Sequence, residues 1–233
     1  MPSSIHIRPQ YSALINSLWN KAHKEAVTST ALQTLLKRGA YIQEKIPLGG
    51  LLFIGIGASW GKNKKDTCAE DGIIQYEKPE KLGTYPYYVA LMKLAEDNGL
   101  PFAHIDLTLF RETSQAALKS LLASFPDVFE AHYNLAFDLI QKARPRIIVV
   151  NNAFVSHFLQ NDEKGFFPSR FDTAFDKTIG TCRIKQPLAL DGTPIFFSGM
   201  LTGQHALDEG SKQRLSWHIA YVLKKINSIR SKP

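Results

Sequence analysis

The sequence of 233 residues has few cysteines and no long uninterrupted apolar segment. Its only cysteines, Cys68 and Cys182, are too few for a disulfide-rich framework or a four-cysteine zinc site. The longest apolar run, residues 46–58, contains four glycines and is shorter than the roughly 20 residues of a membrane-spanning helix. The first ten residues lack the apolar core of a signal peptide. No His, Cys, Asp and Glu residues have metal-ligand spacing, so we predict no metal, no cofactor, no membrane contact and a reduced, cytoplasmic location.

Basic residues outnumber acidic ones, and the excess lies at the two ends of the chain. The formal net charge is +7. Residues 1–50 contain six Lys and Arg and two Asp and Glu, whereas residues 211–233 contain six basic residues and no acidic one. Basic surfaces attract nucleic-acid phosphates by releasing counterions, so the ends indicate DNA as a partner. Solvated cations near a helix C-terminus would produce the same composition, and the sequence leaves the oligomeric state open.

Short continuous apolar runs alternate with segments of helical periodicity. The runs predict four strands, at residues 51–56, 102–110, 146–150 and 194–197, and residues 178–192 are interpreted as a hairpin or an irregular excursion. This alternation predicts a three-layer α/β/α fold with a central, mostly parallel, four-stranded sheet. We expect one domain over residues 1–233, with an N-terminal helical segment (1–45) packed on it and a basic C-terminal helix (211–233).

Ligands of such sheets bind outside the carboxyl ends of the strands. The candidate binding segments are therefore the four that directly follow the predicted strands. Small residues after the first strand let the backbone approach a ligand closely, and Asp106, an acid within an apolar run, could recognise a base edge or activate water. Side-chain amides after the third strand offer a donor and an acceptor, and His205 is the histidine best placed for acid–base chemistry. The candidate binding residues at these ends are Gly55, Ile56, Gly57, Ala58, Ser59, Asn151, Asn152, Ser198, Gly199, Met200 and Thr202.

Each segment also has a purely structural interpretation. The glycines could close a tight strand end, Asp106 could pair with Arg111 or cap a helix, and the asparagines could satisfy backbone groups. A second functional interpretation is a serine hydrolase, because Gly57 to Gly61 match the G-x-S-x-G pattern with Ser59 as the nucleophile. That motif requires a helix directly after the serine, and the residues that follow are polar and poor in helix formers.

The loop sequences GIGAS, at residues 55–59, and SGMLTG, at residues 198–203, each follow an apolar strand. In this order and spacing the chain resembles the uracil-DNA glycosylase superfamily, which has a loop such as G-I-N-P-G after its first strand and a loop such as H-P-S-P-L-S after its last. The resemblance implies an α/β protein of DNA repair that binds an extruded nucleobase and hydrolyses its N-glycosidic bond. It also implies that Tyr87 stacks on the base, that Asp106 lies near the base-reading position, and that Lys62, Lys64 and Lys65 contact DNA phosphates.

Two positions depart from the family pattern. Gly57 stands where the family has a water-activating Asp or Asn, and Ser198 stands where it has a catalytic histidine. If the chain cleaves bases, Asp106 or His205 must supply the missing groups. The sequence therefore leaves two further possibilities open, a non-catalytic module of the same fold that binds DNA or a nucleotide, and the serine hydrolase that uses Ser59.

Overall fold

The structure, a computed structural model, describes residues 3–60, 74–159, 170–203 and 206–230. The strands of the described part are β1 (Ser4–His6), β2 (Ala40–Gln43), β3 (Lys45–Pro47), β4 (Leu51–Gly55), β5 (Ile74–Glu77), β6 (Phe102–Asp106), β7 (Ile147–Val150), β8 (Asp172–Asp176), β9 (Thr181–Gln186) and β10 (Pro194–Phe197). Its α-helices are α1 (Ile7–Glu25), α2 (Thr30–Lys37), α3 (Pro79–Leu82), α4 (Pro86–Asp97), α5 (Gln115–Ser124), α6 (Pro126–Ala143), α7 (Ala153–Leu159) and α8 (Glu209–Arg230). Two short 3-10 turns, Ala26–Thr28 and Leu188–Leu190, complete the described elements.

The main sheet has six strands in the order β6-β4-β7-β10-β9-β8. The four strands predicted from apolar runs form its parallel part, β6-β4-β7-β10. The prediction of a four-stranded sheet is wrong, because β9 and β8 extend the sheet in antiparallel orientation. The strand β8 is mostly exposed and polar. It joins the sheet through backbone hydrogen bonds at an edge, and no apolar run marks such a strand in the sequence.

The apolar residues of the parallel strands divide between two buried clusters. Leu52 and Ile54 of β4 belong to a cluster that contains residues of α1, α2, α5 and α6. Leu51 and Phe53 of the same strand belong to a cluster that contains residues of α4 and α8. Because successive side chains of a strand face opposite sides, the two clusters lie on opposite faces of the sheet. This double burial explains why the sequences of β4 and β7 are continuously apolar.

The N-terminal segment is not only helical. It also contributes β1, which pairs with β3, and β2, which pairs with β5 in a second two-stranded sheet. Ser29 caps the N-terminus of α2, because its hydroxyl accepts a hydrogen bond from the Leu32 amide at 3.2 Å. At the other end of the chain, the predicted basic helix is present as α8, which the structure describes to residue 230. Among the described helices, none has the length and apolar character required to cross a membrane.

Candidate functional site

A cavity of about 240 Å³ lies at the carboxyl ends of β4, β6 and β7. The turn after β4, the last residue of β6 and the two residues after β7 all contribute to its wall. Ten of the residues selected from the sequence line it together: Gly55, Ile56, Gly57, Ala58, Ser59, Tyr87, Asp106, Asn151, Asn152 and Met200. The sheet therefore brings together side chains that are about 50 residues apart in sequence.

The two glycines of the β4 turn are required by close approaches from β6 and the loop after it. A Cβ atom on Gly55 would overlap the Oδ1 atom of Asp106 and would lie 3.1 Å from the Nε2 atom of His104. A Cβ atom on Gly57 would lie 2.8 Å from the Phe110 carbonyl oxygen, closer than real Cβ atoms approach backbone. The absent side chain of Gly55 thus makes the space that the Asp106 carboxylate occupies. Gly57 cannot carry a catalytic side chain without moving the backbone.

Asp106 is the last residue of β6 and lies beside Gly55 in the parallel register. Its side chain is only 10% exposed, and this burial raises the pKa of its carboxyl from 3.8 to about 7. A titratable neighbour on the same strand is His104, whose Nε2 atom lies 3.8 Å from Oδ1. Burial lowers the pKa of His104 to about 3, so this ring is neutral at pH 7 and gives the carboxylate no compensating charge. Asp106 is therefore poised to exchange a proton near neutral pH.

The alternative in which Asp106 pairs with Arg111 is not what the described residues show. The Arg111 guanidinium lies over the Trp60 ring, 4.8 Å from its centroid. Arg111 is 8% exposed, and burial lowers the pKa of its guanidinium. No described Lys or Arg forms an ion pair with Asp106, and its neighbour His104 is neutral at pH 7.

A chain of polar side chains crosses the cavity wall from β7 to β6. The Nδ2 group of Asn151 donates a hydrogen bond to the Tyr87 hydroxyl at 3.0 Å. That hydroxyl lies 3.4 Å from the Nε2 atom of His104, and burial together with the charge of Asp106 raises the pKa of Tyr87. Asn151 is 1% exposed, and its Oδ1 atom has no hydrogen-bond partner among the described residues. One strong acceptor is thus buried and unused beside the cavity.

Aromatic rings form the part of the wall that α4 supplies. Pro86 occupies the first turn of this helix. The ring centroids of Tyr87 and Tyr88 lie 5.1 Å apart, and Tyr88 lies 5.2 Å from His104 in an edge-on arrangement. Neither Tyr88 nor His104 is among the site residues predicted from the sequence. The signal for His104 was its position two residues before Asp106, which places both side chains on one face of β6.

The loop after β10 contributes less to the cavity than the sequence predicts. Of the loop residues that the structure describes, only Met200 lines the cavity, whereas Ser198, Gly199 and Thr202 do not. The Leu207 amide donates a hydrogen bond to the Met200 carbonyl at 2.8 Å, which folds the loop back on itself. The Leu207 side chain then covers Gly199, where a Cβ atom would meet it at 2.9 Å. His205 and the lysines Lys62, Lys64 and Lys65 lie outside the described residues.

The features that a serine hydrolase needs are not found around Ser59 in the described part of the chain. Ser59 is exposed, and it is followed by a residue without regular structure. No described histidine accepts a hydrogen bond from its hydroxyl, and the histidine that lines the same cavity, His104, has a pKa of about 3 because it is buried. A histidine in that environment is a poor general base at neutral pH.

No family model, no curated protein and no solved structure matches the chain. The described residues also contain no group of three or more His, Cys, Asp or Glu that could hold a metal ion. The chemistry of the site therefore follows from the residues of the cavity itself.

Proposed function

We propose that the cavity binds a single nucleobase of DNA and that the protein is a uracil-DNA-glycosylase-like hydrolase of the N-glycosidic bond. The observation that carries the proposal is a cavity whose wall combines the Asp106 carboxyl with Asn151, a residue whose Oδ1 atom is buried without a described partner. The three-layer arrangement predicted from the sequence is part of this proposal. The two apolar clusters on opposite faces of the sheet support it.

The size and the walls of the cavity suit a flat heterocycle. A cavity of about 240 Å³ has room for a flat heterocycle. The Tyr87 and Tyr88 rings offer aromatic surface of the kind on which nucleobases stack. The turn after β4 also lines the cavity and carries only a methyl group at Ala58, so a ring can lie close to its backbone there.

Polar groups in the wall favour a ligand that presents a ring N–H. The Asn151 Oδ1 atom is an acceptor that a ligand N–H would satisfy. A buried acceptor without a partner costs about 1–3 kcal/mol, and a matching ligand recovers that free energy on binding. Asp106 accepts hydrogen bonds when ionised and can donate one when protonated, and its pKa of about 7 makes both forms available at neutral pH.

Asp106 also has the properties required of a general base. In the proposed reaction its carboxylate takes a proton from a water molecule whose oxygen forms a bond to the anomeric sugar carbon. The N-glycosidic bond breaks, its electron pair moves to the ring nitrogen, and the base departs as an anion. The backbone amides after β4 and the donors of the cavity wall stabilise this negative charge. A base with a pKa near the working pH is efficient in such a proton transfer.

Binding to the cavity can be tested with free nucleobases by isothermal titration calorimetry. We expect uracil or another deaminated base to bind, and Asn151→Ala to weaken that binding by about five- to 150-fold, which corresponds to 1–3 kcal/mol. Asn134→Ala is the matched control, because the amide of Asn134 accepts from Arg170 on another part of the surface. Unchanged affinity in Asn151→Ala would refute the recognition role of this amide.

Catalysis can be tested with oligonucleotides that contain uracil or other deaminated bases, which are cut by alkali after base removal. We expect Asp106→Asn to abolish cutting, and the rate of the wild type to rise with pH through about 7 as the carboxyl ionises. The control is Asp97→Asn, which replaces an exposed carboxylate of α4. Binding without cutting would favour the non-catalytic module that the sequence leaves open. The absence of both binding and cutting would refute the proposal.

A further inference from the structure

Two aromatic rings are stacked on the outer surface of α8. Trp217 is 68% exposed, an unusual position for a tryptophan. Its ring lies 5.7 Å from the ring of Tyr221, with an interplanar angle of 16°. Its ring neighbours are His218 and Tyr221 of the same helix. The pair presents a flat, amphipathic surface to the solvent.

Three cations share this face of the helix. Arg214, Lys224 and Lys225 are three, seven and eight residues from Trp217, spacings that place all of them on its side of an α-helix. All three are exposed, and the Lys225 ammonium lies 5.4 Å from the centre of the Tyr221 ring. No acidic residue occurs between positions 211 and 233, and neither lysine has an ion pair with a described residue. Arg214 donates to Ser211, which in turn donates to Asp208, so the positive charge without a described acidic partner is that of the two lysines.

The aromatic–basic face of α8, formed by Arg214, Trp217, Tyr221, Lys224 and Lys225, starts near the edge of the sheet where the cavity opens. It runs towards the opposite edge, where Asn227 accepts a hydrogen bond from Arg146 directly before β7. The Tyr221 hydroxyl donates a hydrogen bond to the Thr178 carbonyl at 3.3 Å. Thr178 belongs to the turn between β8 and β9, and β9 runs antiparallel to β10. That turn is consequently at the carboxyl end of β10, the same edge as the cavity. It is two strands from β7, which is about 10 Å across a sheet.

We infer that this face of α8 binds single-stranded DNA. The two rings stack with unpaired bases, and the three cations contact phosphates of the strand. Aromatic platforms interleaved with cations are the means by which proteins bind single strands without sequence preference. The short distance to the cavity lets one strand bind at both the cavity and α8. The inference rests on the proposed function in taking this strand to be the partner of the cavity.

An anionic membrane surface is a less suitable partner for the same charge. Helices that lie on membranes insert a broad aliphatic and aromatic face into the lipid. The aliphatic residues of α8, such as Leu215, Ile219 and Val222, are buried in the cluster against the sheet. The exposed face offers two rings and cations, which matches a nucleic-acid strand better than a lipid layer.

The test is fluorescence anisotropy with a labelled single-stranded oligonucleotide that contains no uracil, so that the cavity is not engaged. We expect Trp217→Ala to weaken binding at least about fivefold, whereas Trp217→Phe retains most of the affinity because the ring is kept. The double variant Lys224→Glu/Lys225→Glu should weaken binding. It should also reduce the slope of log affinity against log salt concentration by about 1.4, the value for two phosphate contacts on a single strand.

The matched control is Lys21→Glu/Lys24→Glu, which changes the net charge equally on α1, a helix of the other apolar cluster. Equal weakening by both double variants would show that only net charge matters and would overturn the inference. Unchanged binding in Trp217→Ala, or tighter association with phosphatidylserine vesicles than with the oligonucleotide, would overturn it as well. Thermal unfolding of each variant verifies that the fold is retained.

Calorimetry with uracil separates this inference from the proposed function. If uracil binds, Asn151→Ala weakens uracil binding, and oligonucleotide binding does not depend on Trp217, then the proposed function stands and the α8 surface is rejected. If the oligonucleotide binding depends on Trp217 and no nucleobase enters the cavity, the α8 surface stands and the proposed function is rejected.

Discussion

Replacing Asp106 by Asn is expected to stabilise the protein, and to do so in a pH-dependent way. In the unfolded chain the carboxyl ionises near its ordinary pKa of 3.8, whereas burial raises the pKa in the folded protein to about 7. The unfolded state therefore loses its proton first, and the stability present at acidic pH is lost as the pH rises towards 7. A difference of about three pKa units at 1.36 kcal/mol per unit gives a cost of about 4 kcal/mol above pH 7.

An amide at this position cannot ionise, so it removes that cost without changing the side-chain shape. We expect the free energy of unfolding of Asp106→Asn to exceed that of the wild type by about 4 kcal/mol at pH 8 and by less than about 2 kcal/mol at pH 5. For a chain of this length the gain at pH 8 corresponds to a rise in Tm of roughly 8–16 °C. Any constant effect of the amide on hydrogen bonding cancels when the two pH values are compared.

The measurement is urea unfolding of both proteins at the two pH values, with Asp97→Asn as the control for replacing a carboxylate by an amide. A gain in stability that is the same at pH 8 and pH 5 would refute the reasoning, because it would show that the folded protein does not oppose the ionisation of Asp106. The same result would also remove the basis for a general base with a pKa near 7.

Three further substitutions test the architecture of the site. Gly55→Ala places a methyl group in the space of the Asp106 carboxylate and should lower the free energy of unfolding by about 1–3 kcal/mol in urea, whereas Gly83→Ala, where a Cβ atom meets nothing within 4 Å, should not. Burial lowers the pKa of His132 from 6.5 to about 3, so the wild type loses stability as the pH falls below 6.5, by about 2 kcal/mol at pH 5. His132→Leu should lack that loss, so its Tm should fall less than that of the wild type between pH 7 and pH 5. An equal fall in Tm for both proteins would contradict this. Tyr87→Phe removes the hydroxyl that accepts a hydrogen bond from Asn151 and faces His104. It should lower the free energy of unfolding by about 1–3 kcal/mol in urea. An unchanged value would mean that this hydroxyl contributes nothing to stability.

The catalytic and the binding hypotheses depend on different parts of the cavity wall. Recognition depends on the buried amide of Asn151, whose unpartnered acceptor has no structural use among the described residues. Catalysis depends on Asp106, whose raised pKa follows from burial beside a neutral histidine. A protein that kept the first group and lost the second would bind bases without removing them, so the two variants Asn151→Ala and Asp106→Asn separate the hypotheses.

The local sequence was sufficient to place the parallel strands and the turns at their carboxyl ends. A strand that is buried on both faces is mostly apolar, and this property made β4, β6, β7 and β10 visible as short runs, although β6 also contains the buried His104. The convergence of Gly55, Asp106 and Asn151 then followed from the rule that parallel strands end at one edge of the sheet. The carboxylate was identifiable as well, because it interrupts an apolar run.

Tertiary structure alone decided the rest, because those features depend on contacts between distant parts of the chain. The edge strand β8 is held by backbone hydrogen bonds, which leave no apolar pattern. The loss of Ser198 and Gly199 from the cavity depends on how Leu207 folds back over their loop. The pKa of Asp106 depends on how completely β4 and β6 exclude water from it. The basic residues of α8 form one exposed face because the opposite side of the helix is buried against the sheet. Sequence determines which groups are available, and packing determines which of them meet and how strongly their charges are opposed.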